Sequence, residues 1–316
     1  MAITSDAIID GVNRRISNPI TQGLLQNSDV LAFTDSVIQS ELIPLIESTN
    51  QDFFVQRIEI PLVAGQSAYP VPYRSVGRAL REIKIVDTVG GGNFRNIPLV
   101  SIEHSDMYFS WNTVVGFHFE GDDIRLVPDV PDSLSSNPPT LVVWYRLPPN
   151  KLVPLTSVAP VVSIADNVVT VSSVPTGISA GTRVDFCQAQ SGSAIYSYDV
   201  EVTATDATTI TFASSEDIPS ELSAGDYISV AGESYVLNWI PNEAYPLVET
   251  LTCRRALQAI SDYEGLKILE ADAERERTNL KMILEPRING ESTIIVNYWS
   301  LARGYKSNQR AWLYGQ

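Results

Sequence analysis

Histidine and cysteine are almost missing from this chain, with two of each among 316 residues. Metal centres draw their ligands from His, Cys, Asp and Glu at short spacings, and nucleophilic catalysis pairs Ser or Cys with a positioned base. His104, in Glu103-His104-Ser105-Asp106, has no second His or Cys at metal spacing. His118 alternates with Phe117 and Phe119 and reads as a residue on a strand face. Cys187 and Cys253 fall in segments of different type, as expected of reduced thiols. A G-x-S-x-G elbow and a Walker loop are missing too, and Gly90-Gly91-Gly92 runs into Asn93 with no Lys-Ser/Thr behind it. Asp122-Asp123 has the composition of a hairpin turn before that of a carboxylate pair. These shortages leave no catalytic or metal residue to name, and no cofactor is expected.

Positive charge is also scarce. Lys and Arg number 22 against 37 Asp and Glu, a net charge of −15. A protein that grips nucleic acid over its whole surface needs clustered cations, so that class is excluded. Long apolar runs are lacking as well: the longest spans five residues, far short of the roughly 20 that cross a bilayer. The start, MAITSDAIID, shows neither the basic nor the apolar region of a signal peptide. The acidity is uneven. Residues 151–235 carry 10 acids and 2 bases, whereas 293–316 carry Arg303, Lys306 and Arg310 and no acid. Such asymmetry fits surfaces with different neighbours, and it fits solubility alone equally well.

What is present is a sequence of changing periods. The length suits about two ordinary domains. Residues 1–54 read as N-terminal helices. Ser5 or Asp6 is the expected cap of the first, which carries Ile8, Ile9, Val12 and Ile16 on one face. A second is expected from Thr34 or Asp35, with Pro44 inside it imposing either a kink or a later start. From Val55 the period is two, and 55–150 reads as an antiparallel β domain, with Phe117–Val127 its clearest hairpin. Residues 151–235 form a second, inserted β unit with an internal echo. Val169–Ser173 leads to Ser179-Ala180-Gly181 and then Arg183–Phe186; Ile210–Ser214 leads to Ser223-Ala224-Gly225 and then Tyr227–Val230. Two copies are too few for a solenoid, and a small barrel or sandwich of similar halves fits better.

Across 236–292 the 3.6 period returns, with Asn242 as an expected cap. One apolar stripe holds Leu247, Leu251, Leu257 and Ile260; another holds Leu266, Leu269, Ala273, Leu280 and Ile283; Ser261–Gly265 is a possible break between two helices. Leu247, Leu251, Leu257, Ile260, Leu269 and Leu280 are the expected inter-subunit packing positions. Arg254-Arg255 reads as a local basic patch for an acidic protein partner. The last segment, 293–316, mixes cations with aromatics and reads as an extended docking arm: Tyr298, Trp299, Arg303, Tyr305, Lys306, Arg310, Trp312 and Tyr314. The fold class expected is therefore α+β: a helical bundle of N-terminal helices and a C-terminal pair, an antiparallel β domain, an inserted barrel or sandwich, and the arm.

The order of these parts carries more than any single motif. Phe53-Phe54-Val55 closes the first helices, followed by Gly65-Gln66, Tyr69-Pro70-Val71-Pro72 and Leu80–Lys84. Then come Phe119-Glu120-Gly121-Asp122 with Ile124–Pro128, Trp144–Val153, Gly225-Asp226-Tyr227-Ile228 with Gly232-Glu233-Ser234, Ile240-Pro241 and Glu285–Gly290. In this order the chain resembles the head-to-tail adaptor (neck, or connector) proteins of tailed bacteriophages. The resemblance implies a non-enzymatic virion protein of the neck, assembled in the host cytoplasm. It implies a homo-oligomeric ring, typically twelve-fold, that binds the portal protein above and a downstream neck or tail protein below. Genome DNA would pass through without sequence-specific binding, and no membrane partner is implied. A competing reading makes the chain a phage tail or surface binding module that recognises carbohydrate or protein through 151–235, with Tyr196 and Tyr198 as exposed contacts. A third, a glycoside-acting enzyme, requires a carboxylate pair that nothing in the sequence selects.

Overall fold

A computed structural model describes residues 3–16, 25–76, 80–87, 93–101, 103, 114–130, 139–189 and 194–285. All but Glu285 belong to one unit, Met1–Leu284. Its helices are α1 (Ser5–Arg15), α2 (Asn27–Val37), α3 (Ile43–Thr49), α4 (Tyr245–Ala259) and α5 (Tyr263–Leu284). A π-helical turn, Ile38–Leu42, joins α2 to α3 without a break in the rod. Pro44 explains it. Proline has no N–H to give the preceding turn, and the chain responds by widening, with Ile43 N–H donating to Ile38 O.

Three helix starts differ from the sequence reading. The cap of α1 is Thr4, whose hydroxyl accepts the Ala7 N–H at 3.2 Å, while Ser5 is the first helical residue. The second helix begins at Asn27, ahead of Thr34, because Gln26 and Asp29 form a reciprocal capping box. Thr34 and Asp35 are spent inside the helix wall: Thr34 Oγ1 donates to Val30 O, and Asp35 accepts the Leu152 N–H. At the C-terminal pair, Asn242 opens a short 3₁₀ turn and α4 follows from Tyr245. The expected break is present, with Ser261 at φ 61° between α4 and α5.

The helices from both ends of the chain share one core. Ile8, Ile9 and Val12 of α1, Val30, Leu31 and Val37 of α2, and Leu247, Val248 and Leu251 of α4 are all buried in it. Helix α1 lies close on α4 because residue 11 is glycine; a Cβ there would stand 2.9 Å from the Tyr245 hydroxyl.

Between the helices run the strands. They are β1 (Val55–Pro61), β2 (Ala68–Pro70), β3 (Leu80–Asp87), β4 (Asn93–Asn96), β5 (Gly116–Glu120), β6 (Asp123–Val127) and β7 (Thr140–Arg146), then β8 (Lys151–Leu152), β9 (Ala159–Ala165), β10 (Val168–Val171), β11 (Arg183–Cys187), β12 (Ile195–Thr205), β13 (Thr209–Phe212), β14 (Tyr227–Val230) and β15 (Glu233–Ser234). An antiparallel sheet in the order β1-β7-β3-β4 packs against the three-stranded β2-β6-β5 sheet, their shared core including Tyr69, Ile83, Ile124, Leu126, Leu141 and Val143. The hairpin read at Phe117–Val127 is β5–β6, turning at Gly121-Asp122.

Strands β9 to β14 close into a six-stranded antiparallel barrel in the order β10-β13-β12-β11-β14-β9. Its core holds Val169, Val184, Phe186, Val202, Ile210, Phe212 and Ile228, with the Phe186 and Phe212 rings 5.1 Å apart. The echo in the sequence is a pseudo-two-fold axis in space. Exchanging β9, β10, β11 with β12, β13, β14 reproduces the strand order. Val169 pairs with its counterpart Ile210, and Asp185 pairs with its counterpart Ser229. The two Ser-Ala-Gly turns also match bond for bond. Gly181 N–H donates to Val202 O at 2.7 Å, and Gly225 N–H to Val161 O at 2.9 Å. Ser179 N–H is held by Thr182 Oγ1 and Ser223 N–H by Asp226 Oδ2. Both glycines sit at positive φ, 83° and 97°, where a side chain is strained.

Candidate functional site

The most heavily built polar feature lies where the β sheets, the barrel and the strand β8 meet. Asp185, on the barrel's pseudo-axis, is completely buried. A buried carboxylate is tolerable only when its oxygens are fully hydrogen-bonded and its charge is balanced. Both conditions hold. Arg74, from the loop after β2, donates Nη1 to Oδ2 at 2.8 Å and to Oδ1 at 3.1 Å. Asn150 Nδ2 and the Gly232 N–H reach Oδ2 at 2.9 and 3.2 Å, and the Asp199 N–H reaches Oδ1 at 3.0 Å. Arg74 also donates to Asn150 Oδ1 and lies over the Tyr198 ring, 5.5 Å from its centre. One carboxylate thus fastens four separate stretches of chain, and charge-assisted bonds of this kind are the strong ones.

Above this cluster opens a cleft of about 1250 Å³ between β1, the Pro70–Tyr73 segment and β12 of the barrel. Tyr73, Tyr145, Tyr196, Tyr198 and Trp239 line it. Tyr196 and Tyr198, read as exposed contacts, are half-buried. Burial pushes the Tyr198 hydroxyl well above its ordinary pKa, with Asp185 adding to the effect. Asp199 is also shifted upward, by burial first, against the pull of Arg74 at 3.7 Å. The arrangement can hold a ligand by ring faces and a few polar groups. It offers no nucleophile–base pair. Among the described residues no group of three or more His, Cys, Asp or Glu stands ready for a metal ion. His118 is buried in the β5–β6 hairpin; His104 lies outside the described residues.

The stripe assigned to inter-subunit packing is used within the chain. Leu247, Leu251 and Leu280 are buried in the helical core and Leu269 packs against it. Leu257 is buried too, and only Ile260 of the six is exposed. The reason is simple: the N-terminal helices lie on the face that the sequence left without a partner. The uncovered apolar residues of the C-terminal pair are a different set, Tyr263, Ile268, Met282 and Ile283, with Ile268 at 69% exposure. The second apolar stripe includes Ile283, while Tyr263, Ile268 and Met282 fall outside both stripes. Arg254-Arg255 is likewise taken up internally. Glu41, on the π turn, accepts from Arg254 and Arg277, and Arg255 stands 3.6 Å away. Tyr298, Trp299, Arg303, Tyr305, Lys306, Arg310, Trp312 and Tyr314, the expected arm, lie outside the described residues.

No helix among the described residues is long and apolar enough to cross a membrane. Neither a family model nor a curated protein matches this chain.

Proposed function

We propose that this chain is a head-to-tail adaptor of a tailed bacteriophage: a non-enzymatic ring protein of the virion neck. The ring, of about twelve copies, sits between the portal protein and a downstream neck or tail protein. One observation carries most weight. The first and last described helices form one core, and α5 keeps outward apolar side chains, Ile268 with Met282 and Ile283, that no described residue covers. Copies arranged around an axis would cover such a face by helix packing. The resemblance in the order of parts supports the same reading. The net charge of −15 per copy suits a wall that DNA must pass without adhering. The segment 293–316, with three cations and no acid, would dock on the portal.

Native mass spectrometry and negative-stain microscopy test the reading. A closed ring of about a dozen copies is expected, alone or on addition of portal. Ile268→Glu with Met282→Glu should leave a folded monomer, because both side chains are exposed. Deleting 293–316 should abolish portal binding and leave folding intact. A stable monomer indifferent to portal would sink the proposal.

A further inference from the structure

Asp35 is a buried acid in a place where the fold gains nothing obvious from a charge. It projects from α2 to the β8–β15 pair, the short parallel ribbon that links the helical core to the barrel. Its Oδ1 accepts the Leu152 N–H at 2.9 Å. Its Oδ2 is buried with no hydrogen-bond partner. The charged groups bearing on it are Lys151 on β8 and Glu233 on β15, of opposite sign, so the ribbon's two charges work against each other. Helix α4, packed on α2, presents Thr252 to Thr34, and its Arg254 is held by Glu41 further along the rod. An ionised carboxylate with one oxygen unpaired and no dedicated cation is costly to bury. A neutral one costs far less.

We infer that Asp35 is a proton-operated latch between helix α2 and the β8–β15 ribbon, tighter in mild acid than above neutrality. This goes beyond the adaptor reading and does not require it. Burial, the largest influence, raises the Asp35 pKa from 3.8 to about 6, while the Leu152 bond pulls the other way. The closed joint therefore holds the proton more firmly than an open one in which Asp35 meets water. Protonation stabilises closure fully below about pH 4, and that contribution is lost as the pH rises through about 6.

Hydrogen exchange of the full chain, read by mass spectrometry on peptides covering Leu152 and corrected for intrinsic rates, tests the latch. Protection at Leu152 should be about ten-fold greater at pH 5 than at pH 8. Peptides from the barrel core around Val169 should change far less. In Asp35→Asn the pH dependence at Leu152 should vanish. If that variant does not fold, the ¹³C-carboxyl titration of Asp35 in the unaltered chain gives the answer: a midpoint near 6 supports the latch, and one near 4 overturns it. Flat protection at Leu152, or an unchanged pH dependence in Asp35→Asn, overturns it as well.

Discussion

The two halves of the barrel share strand order, turns and core positions, yet they differ at the residue on their common axis. One half places Asp185 there and the other Ser229, each paired with the other across β11 and β14. Asp185 reaches outward to Arg74, Asn150, Asp199 and Gly232. Ser229 stays local, donating to Glu233 O at 2.6 Å and meeting Cys187 Sγ at 3.6 Å. A duplicated unit is stable through its repeated core. One departure from the repeat, Asp185, ties it by charge to the rest of this chain, beside the apolar cluster that Cys187, Ile195 and Tyr227 form with Val153 and Val236. The repeated core holds the barrel together, and an asymmetric charge adds to its attachment.

Placing serine on both sides of the axis is the harshest test of that contrast. Asp185→Ser would leave Arg74, whose side chain is only 9% exposed, with the more distant Asp199, at 3.7 Å, as its remaining counter-charge. A loss of roughly 3–5 kcal/mol is expected in urea unfolding. A loss under 1 kcal/mol would mean that the attachment lies elsewhere. Ser229→Ala should cost about 1 kcal/mol by the same measurement, since it removes one neutral hydrogen bond to Glu233 O and a weak contact with Cys187 Sγ. A cost equal to that of Asp185→Ser would erase the distinction between the halves. The finest test concerns what the halves share. Gly181→Ala and Gly225→Ala each force a side chain into positive φ, at about 1 kcal/mol. The two penalties should agree within about 0.5 kcal/mol if the turns are equivalent in energy as well as in geometry.

Much of the fold was legible because it is local. The alternation of β1, β3 and β7, the β5–β6 turn and the break at Ser261 each follow from neighbours in the chain. The repeat was legible because its Ser-Ala-Gly turns kept their residues. The start of α2 was obscure because its capping box uses Gln26 with Asp29, away from the usual Ser or Thr. Apolar stripes announce that a face must be covered but never by what, so Leu247 and Leu251 were assigned to a neighbouring subunit when α1 and α2 cover them. The polar cluster was out of reach for the same reason in stronger form. Arg74 and Asp185 are 111 residues apart, and no period or motif joins them.

That the first and last described helices share one core has a further meaning in time. Ile8, Ile9 and Val12 leave the ribosome long before Leu247 and Leu251, the residues they pack against. At roughly 5–20 residues per second the wait is on the order of ten to fifty seconds. The barrel needs nothing outside 159–230 for its ring of strands and can close during that interval. The helical core is obliged to be the last part to form. Its contacts span nearly the whole chain, and their high sequence separation makes that final step slow. A chain cut short before Tyr245 would carry a finished barrel beside helices with nowhere to bury their apolar faces.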